Sequence, residues 1–285
     1  MSDPLDPRRP WRGVRRAALF LLATLVLIPI GLAARPLGRL PRRLAARAWI
    51  AAARIAVNAT VRVEGVPFRA CPTLFVANHV SYLDVVALGG VLDAQFIAKS
   101  EIRDWPGFGL IARLGGTYFV RRHWRQALIQ RNDLAARMRA GESFVLFAEG
   151  TSSDGIDVLP FKSALFSVAE PWVLDCPVAV QPVTLAYLRL ADGTPVDAGN
   201  AELYAWFGEA AFAPHLWRAA QGPGIEIVVR FHEPVISWAV RSRKALARVA
   251  REEIREALHE LRGGPGVAEL DLPPEPVAHP DRVPA

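Results

Sequence analysis

Three short stretches of this 285-residue chain carry side chains able to do chemistry together. The first is Asn78-His79-Val80-Ser81-Tyr82-Leu83-Asp84. It follows an apolar run, Thr73 to Ala77, that reads as a buried strand, and it opens a helical pattern from Ser81 to Leu92. His79 therefore falls in a strand-to-helix loop, where a side chain is exposed on a rigid support. Asp84 lies about one turn into the helix and reaches back toward that loop. An aspartate accepting from one imidazole nitrogen fixes the tautomer and leaves the other nitrogen free to take a proton. A base and its orienting acid, with no protein nucleophile, fit a reaction whose attacking hydroxyl comes with the substrate. The same letters have a second reading. Ser81-x-x-Asp84 has the form of a capping box, in which Asp84 only satisfies backbone amides and His79 is a loop residue.

The second stretch begins with the strand-like Phe144 to Phe147 and runs into Ala148-Glu149-Gly150-Thr151-Ser152-Ser153-Asp154-Gly155. A strand ending in a glycine-containing polar loop offers backbone amides to an oxyanion or phosphate. Gly150 permits close backbone approach, Thr151 adds a hydroxyl, and Glu149 can hold a neighbouring base in place. Gly-Thr-Ser loops are also common turns. Between these two loops lies Gly115-Gly116-Thr117-Tyr118-Phe119-Val120-Arg121-Arg122. Adjacent arginines on a strand point to opposite sides, so one can face a site and the other solvent. The guanidinium fork suits phosphate or carboxylate, and a solvated basic edge is the alternative.

The elements that must position these loops alternate along the chain. Strand-like runs occur at Thr73–Ala77, Ala94–Ala98, Thr117–Val120, Phe144–Phe147, Pro177–Ala186 and Ile225–Phe231. Helical patterns occur at Ser81–Leu92, Phe108–Leu114, Trp124–Ala140, Lys162–Ala169 and Arg241–Leu261. This alternation predicts an α/β domain, over residues 61–262, with a mostly parallel central sheet flanked by helices and reactive loops at strand ends. A Gly/Pro-marked insert rich in Trp and Phe interrupts it at residues 191–224. The tail, 263–285, is Pro/Gly-laden and expected to be disordered.

Ahead of the domain, residues 1–16 form a basic segment with Arg8, Arg9, Arg12, Arg15 and Arg16. Residues 17–60 read as membrane-anchor helices. The uncharged stretch from Ala17 to Ala34 is near the lower limit of about 17–20 residues for spanning a bilayer. Three readings stand: a cleaved signal peptide, a full span, and a helix dipping into one leaflet, which the potential kink at Pro29 favours. Leu44 to Val57 places Arg47 and Arg54 on one helix face, as an interfacial helix or a core-packing one would.

A net charge of +6 favours anionic partners: nucleic acid, an acidic carrier protein or an anionic membrane face. The 52% hydrophobic content tilts that choice toward lipid rather than nucleic acid. Cys71 and Cys176 are the only cysteines, with no metal-ligand spacing around them, so neither a disulfide framework nor a metal site is expected.

The order of motifs resembles the four blocks of the lysophosphatidic acid (1-acyl-glycerol-3-phosphate) acyltransferase family: Asn78-His79-x4-Asp84, Phe119-Val120-Arg121-Arg122, Phe147-Ala148-Glu149-Gly150-Thr151 and Val180-Gln181-Pro182-Val183. The resemblance implies that His79 is the general base and Asp84 its orienting acid. It implies that Arg122 contacts the acceptor headgroup, that Glu149, Gly150 and Thr151 shape acceptor binding, and that Pro182 stands in the site wall with Asn78 and Ser81. The donor would be a thioester of acyl carrier protein or coenzyme A, attacked directly, with no cofactor. An N-terminal hairpin in the bacterial inner (plasma) membrane and a catalytic domain facing the cytoplasm also follow from it.

Many members read Phe-Pro-Glu-Gly-Thr-Arg, whereas here Ala148 replaces the proline and Ser152 the arginine. Arg122, Lys99 and Lys162 are then the cations left for an anionic acceptor. The segments Glu149–Gly155 and Leu159–Phe166 resemble the bacterial subgroup that acylates lyso-ornithine lipid, as do Trp206-Phe207-Gly208 and Pro214-His215-Leu216-Trp217. Competing functions are a lipid hydrolase or thioesterase, which the absence of a Gly-x-Ser-x-Gly elbow argues against, and a non-catalytic membrane lipid carrier.

Overall fold

The computed structural model describes residues 10–105, 108–121, 124–170, 173, 178–236 and 242–264. Two helices lead, α1 (Pro10–Ala33) and α2 (Arg39–Val57), paired as an antiparallel hairpin. β1 (Ala59–Glu64), β2 (Thr73–Ala77), α3 (Leu83–Gly89), β3 (Gln95–Lys99), α4 (Phe108–Leu114), β4 (Tyr118–Val120), α5 (Trp124–Arg139) and β5 (Phe144–Phe147) follow. The chain closes with β6 (Ala179–Leu190), α6 (Phe212–Gln221), β7 (Ile225–Phe231), β8 (Val235–Ile236) and α7 (Arg243–Leu261).

Among the described residues the sheet runs β1-β7-β6-β2-β5-β3-β4, with β8 paired to the start of β6. Strands β6, β2, β5, β3 and β4 are mutually parallel, and β7 with β1 runs the other way. β2 is apolar at nearly every position and buried throughout because both of its faces are covered. One face packs Phe75, Val183, Leu185 and Ile227 against Leu83 and Leu88 of α3. The other packs Leu74, Val76 and Leu146 against Leu134 and Met138 of α5 and Leu246 of α7. Ser242 starts α7, its hydroxyl accepting from the Ala245 amide at 3.2 Å.

The expected strands at 73–77, 144–147 and 225–231 match β2, β5 and β7 in their bounds. Residues 163–169 are a 3-10 helix rather than an α-helix. β6 continues to Leu190, past the expected end, because β7 pairs along its whole second half. The insert contains a helix that its Gly/Pro content concealed, α6, and β1 begins before the expected domain start at Val61. The tail beyond Gly264 lies outside the described residues.

α1 is long and apolar enough to cross a membrane, and it continues through Pro29. Leu19, Leu21, Leu22 and Leu25 are each at least half exposed on its outer side. The hairpin nevertheless lies lengthwise against the sheet domain. Arg43 of α2 pairs with Asp93 at 2.8 Å, and Ile50 packs so tightly on α3 that a Cβ at Gly89 would stand 2.7 Å from its Cδ1. Farther along, Arg16 of α1 donates to the carbonyls of Ala220 and Gly222 at 3.1 and 2.8 Å, which anchors α1 to the end of α6.

Candidate active site

Parallel strands leave their C-terminal ends along one edge, where open α/β sheets bind ligands. The order β6-β2-β5-β3 sets the His79 loop after β2 directly beside the Glu149 loop after β5. Each end of the His79 peptide is held there. Its amide donates to Glu149 Oε1 at 2.7 Å, and its carbonyl accepts from the Ser153 amide at 2.9 Å. One residue earlier, the buried Asn78 side chain donates to the Leu185 carbonyl at 2.9 Å and accepts from the Leu185 amide at 2.8 Å. One residue later, the Val80 carbonyl accepts from the Trp206 amide of the insert at 3.0 Å. The loop is therefore tied to β5, β6 and the insert at once.

Asp84 is fully buried at the start of α3. Its Oδ2 accepts from His79 Nδ1 at 2.7 Å and from the amides of Val80 and Ser81 at 2.7 and 3.1 Å. Its Oδ1 accepts from the Tyr187 hydroxyl at 2.7 Å. The capping and orienting roles left open by the sequence are thus both filled by one carboxylate. With Nδ1 donating to Asp84, Nε2 is the nitrogen left to accept a proton. The imidazole ring stacks on Phe147, centroids 4.1 Å apart, and its side chain is 21% exposed, so the ring is fixed in plane yet open on one side.

Glu149 differs from the acceptor-binding role the resemblance implies. It is 1% exposed, and its second oxygen accepts from the Leu159 amide at 3.1 Å, so both oxygens are turned onto backbone. Burial lifts its carboxyl to about 7 despite those two amides. Asn78 and Ser81, expected in a site wall, are also buried, Asn78 with its side chain bonded to Leu185 and Ser81 with its amide on Asp84. Pro182 is a further correction. Strand alternation puts its ring with Thr184, on the side of the sheet away from Val183, Leu185 and Tyr187. Proline is tolerated in this interior strand because pairing with β7 begins one residue later, at Val183.

Gly150 has φ +67°, and a Cβ there would stand 2.9 Å from Lys162 Cδ and 3.0 Å from its Nζ. This close approach brings the exposed Lys162 onto the Gly-Thr turn, where Thr151 is also exposed. Arg122 lies outside the described residues, while Arg121 at the end of β4 is bracketed through its amide and carbonyl by Gln130 of α5. Among the described residues no cluster of three metal-ligating side chains occurs. Two contributors escaped the sequence reading, Ser153 and Tyr187. A phenol on the same face as Val183 and Leu185 of a buried strand was the signal available for Tyr187.

The fold and its loops have known counterparts. The family profile described as Acyltransferase matches residues 60–186. A lyso-ornithine lipid O-acyltransferase of Brucella abortus is 44% identical over 202 residues, 70% of this chain and 75% of that one. Another, from Rhizobium meliloti, is 37% identical over 250 residues, 86% and 85% of the two chains. The crystal structure of a 1-acyl-sn-glycerophosphate acyltransferase from Thermotoga maritima shares the fold, with a TM-score of 0.60 at 21% identity, over 89% of this chain and 99% of that one. Sequence, fold and the order of the blocks thus agree, and this O-acyltransferase belongs to the lysophosphatidic acid acyltransferase family, within its lyso-ornithine lipid subgroup.

Proposed function

We propose that this enzyme moves a fatty acyl group from a thioester of acyl carrier protein or coenzyme A onto the free hydroxyl of a lyso-ornithine lipid. The observation that carries the chemistry is the 2.7 Å contact from Nδ1 of the partly exposed His79 side chain to a buried Asp84, which leaves Nε2 as the nitrogen able to take a proton. Nε2 takes the proton of the acceptor hydroxyl as that oxygen attacks the thioester carbonyl. The tetrahedral adduct then collapses, the carbon–sulfur bond breaks, and the imidazolium returns the proton to the departing thiolate. An ester and a free thiol result. No acyl-enzyme forms.

Two features favour the lyso-ornithine acceptor over a phosphate monoester. The relatives named for lyso-ornithine lipid are 35–44% identical, against 31% for a 1-acyl-sn-glycerol-3-phosphate acyltransferase of Neisseria gonorrhoeae. Ser152 also removes a cation that a dianionic phosphate would use. Lys162 and Arg122 are proposed to meet the ornithine carboxylate. The lengthwise docking of the hairpin supports an α1 that lies in the membrane interface with its leucine face toward lipid. Arg12, Arg15 and Arg16 in the first turns of α1 fit a cytoplasmic face of the bacterial inner membrane.

Purified protein in mixed micelles, offered both acceptors with labelled thioesters of acyl carrier protein and coenzyme A, tests this reading. Diacylated ornithine lipid is the expected product. His79→Ala is expected to lower its formation at least about 100-fold in a folded protein. Release of free fatty acid alone would support a hydrolase instead, and lipid binding without turnover would support a carrier.

A further inference from the structure

We propose that Tyr187 is a positioning residue for acyl transfer, its hydroxyl holding the oxygen of Asp84 that His79 does not use. The proposal rests on the reading of His79 and Asp84 as the general base and its partner.

Asp84 Oδ2 already receives three donors, from the His79 ring and two amides. Those bonds alone leave Oδ1 buried without a donor, a costly state for a charged oxygen. The Tyr187 hydroxyl fills that place at 2.7 Å. With both oxygens pinned, the carboxylate cannot turn about its own axis. The imidazole that leans on it then keeps one orientation.

Several features of β6 serve this placement. Asn78 grips β6 at Leu185, two residues before Tyr187 and on the same face of the strand, so the histidine loop and the phenol are set from one stretch of backbone. Immediately after Tyr187 the pairing with β7 slips, from Tyr187 opposite Ile227 to Arg189 opposite Glu226. Irregularities of this kind re-aim side chains next to active sites. Tyr187 is 2% exposed, so it does not touch substrate, and its effect must pass through Asp84. The buried Ser81 hydroxyl lies beside the phenol.

The ionisable groups facing this carboxylate are His79 from its own loop, Tyr187 from β6 and Glu149 from the end of β5, with Tyr82 next to the phenol. Burial and the adjacent carboxylate push Tyr187 well above the usual phenol range, so it stays a donor wherever the enzyme works.

The test is Tyr187→Phe, which keeps the ring and removes one O–H. Diacyl-lipid formation is measured alongside thermal unfolding, in wild-type and His79→Ala backgrounds. Expected are a kcat lowered by about 10-fold, since hydrogen bonds to charged groups are among the stronger ones, and unchanged KM for both substrates. The acid limb of the kcat/KM profile should move to higher pH, because a carboxylate without this donor holds the imidazolium more strongly. In the His79→Ala background the same change should have no further effect, since it acts only through the imidazole. If Tyr187→Phe unfolds, 3,5-difluorotyrosine at this position keeps size and donor. As a stronger donor it should move the acid limb the opposite way. A wild-type kcat and profile in either variant, with His79→Ala inactive, overturns the Tyr187 proposal alone. Near-normal turnover by His79→Ala overturns the base assignment on which it rests.

Discussion

Asn78 and Leu185 are joined by two hydrogen bonds of 2.9 and 2.8 Å, the side-chain amide standing in for a backbone partner. β2 has ended at Ala77, yet the Asn78 side chain extends its pairing with β6 beyond the last strand residue. Asn78→Asp would place a carboxylate oxygen against the Leu185 carbonyl in a buried site. A loss of about 2–4 kcal/mol of stability is expected from one bond broken and one acceptor opposed. Denaturant unfolding of the purified protein checks it, and acyl transfer should fall with it, since the histidine loop loses its hold.

Asp84→Asn separates charge from shape. Four donors converge on the carboxylate, so an amide NH2 in either orientation meets at least one of them. The expected outcome is acyl transfer lowered at least about 100-fold, the range in which a misoriented base loses its catalytic value. Thermal unfolding should also shift downward. Single-turnover assays on the folded fraction distinguish the two effects.

Glu149 makes stability depend on pH in a defined direction. Its carboxyl is raised from the ordinary 4.5 to about 7 by burial, so the folded protein holds a proton there that the unfolded chain releases. This contribution is fully present below pH 4.5 and is lost as pH rises through 7. It amounts to about 3 kcal/mol at most, at about 1.4 kcal/mol per pH unit. Glu149→Gln cannot titrate. Its melting temperature, measured from pH 5 to 8.5, should lie below wild type and fall less steeply with rising pH.

On the opposite face of the sheet the sign reverses. His232, bonded through Nε2 to the Thr184 hydroxyl at 2.7 Å, is held near 4 by burial and by the nearby Arg230. Its contribution is present above the unfolded value of about 6.5 and disappears as pH falls toward 4. His232→Gln should flatten the acid side of the stability curve, read by unfolding between pH 4 and 7.

Gly150→Ala tests the close approach of Lys162. A left-handed conformation costs a non-glycine residue about 1–2 kcal/mol, and the new methyl would also displace the lysine. A raised KM for the lyso-lipid with a lower melting temperature is expected. An unchanged KM would remove Lys162 from acceptor binding.

Much of this architecture is written locally. Thr73–Ala77 and Phe144–Phe147 are short apolar runs bounded by polar loops, and the spacing of His79 and Asp84 announces their pairing. Contacts distant in sequence are not announced in that way. Tyr187 is 103 residues from Asp84, and nothing in the residues around it marks a partner. Pro214 and the flanking glycines hid α6, which is held by contacts distant in sequence, α1 on one side and the core around Tyr82 on the other. Glu149 carries an acidic label that suggests a ligand, but which way a carboxylate turns depends on the free amides of His79 and Leu159.

The arginine bonds that fasten α1 to the last turn of α6 have a geometric consequence. A leader joined by a loose leash would let the catalytic body hover at any height above the bilayer. On the proposed interfacial reading, a hairpin bolted lengthwise would act as a keel: the depth to which its leucines sink would set the altitude of the imidazole. Alcohols carried at that altitude would then meet the proposed base, and those seated deeper or floating free in water would pass it by.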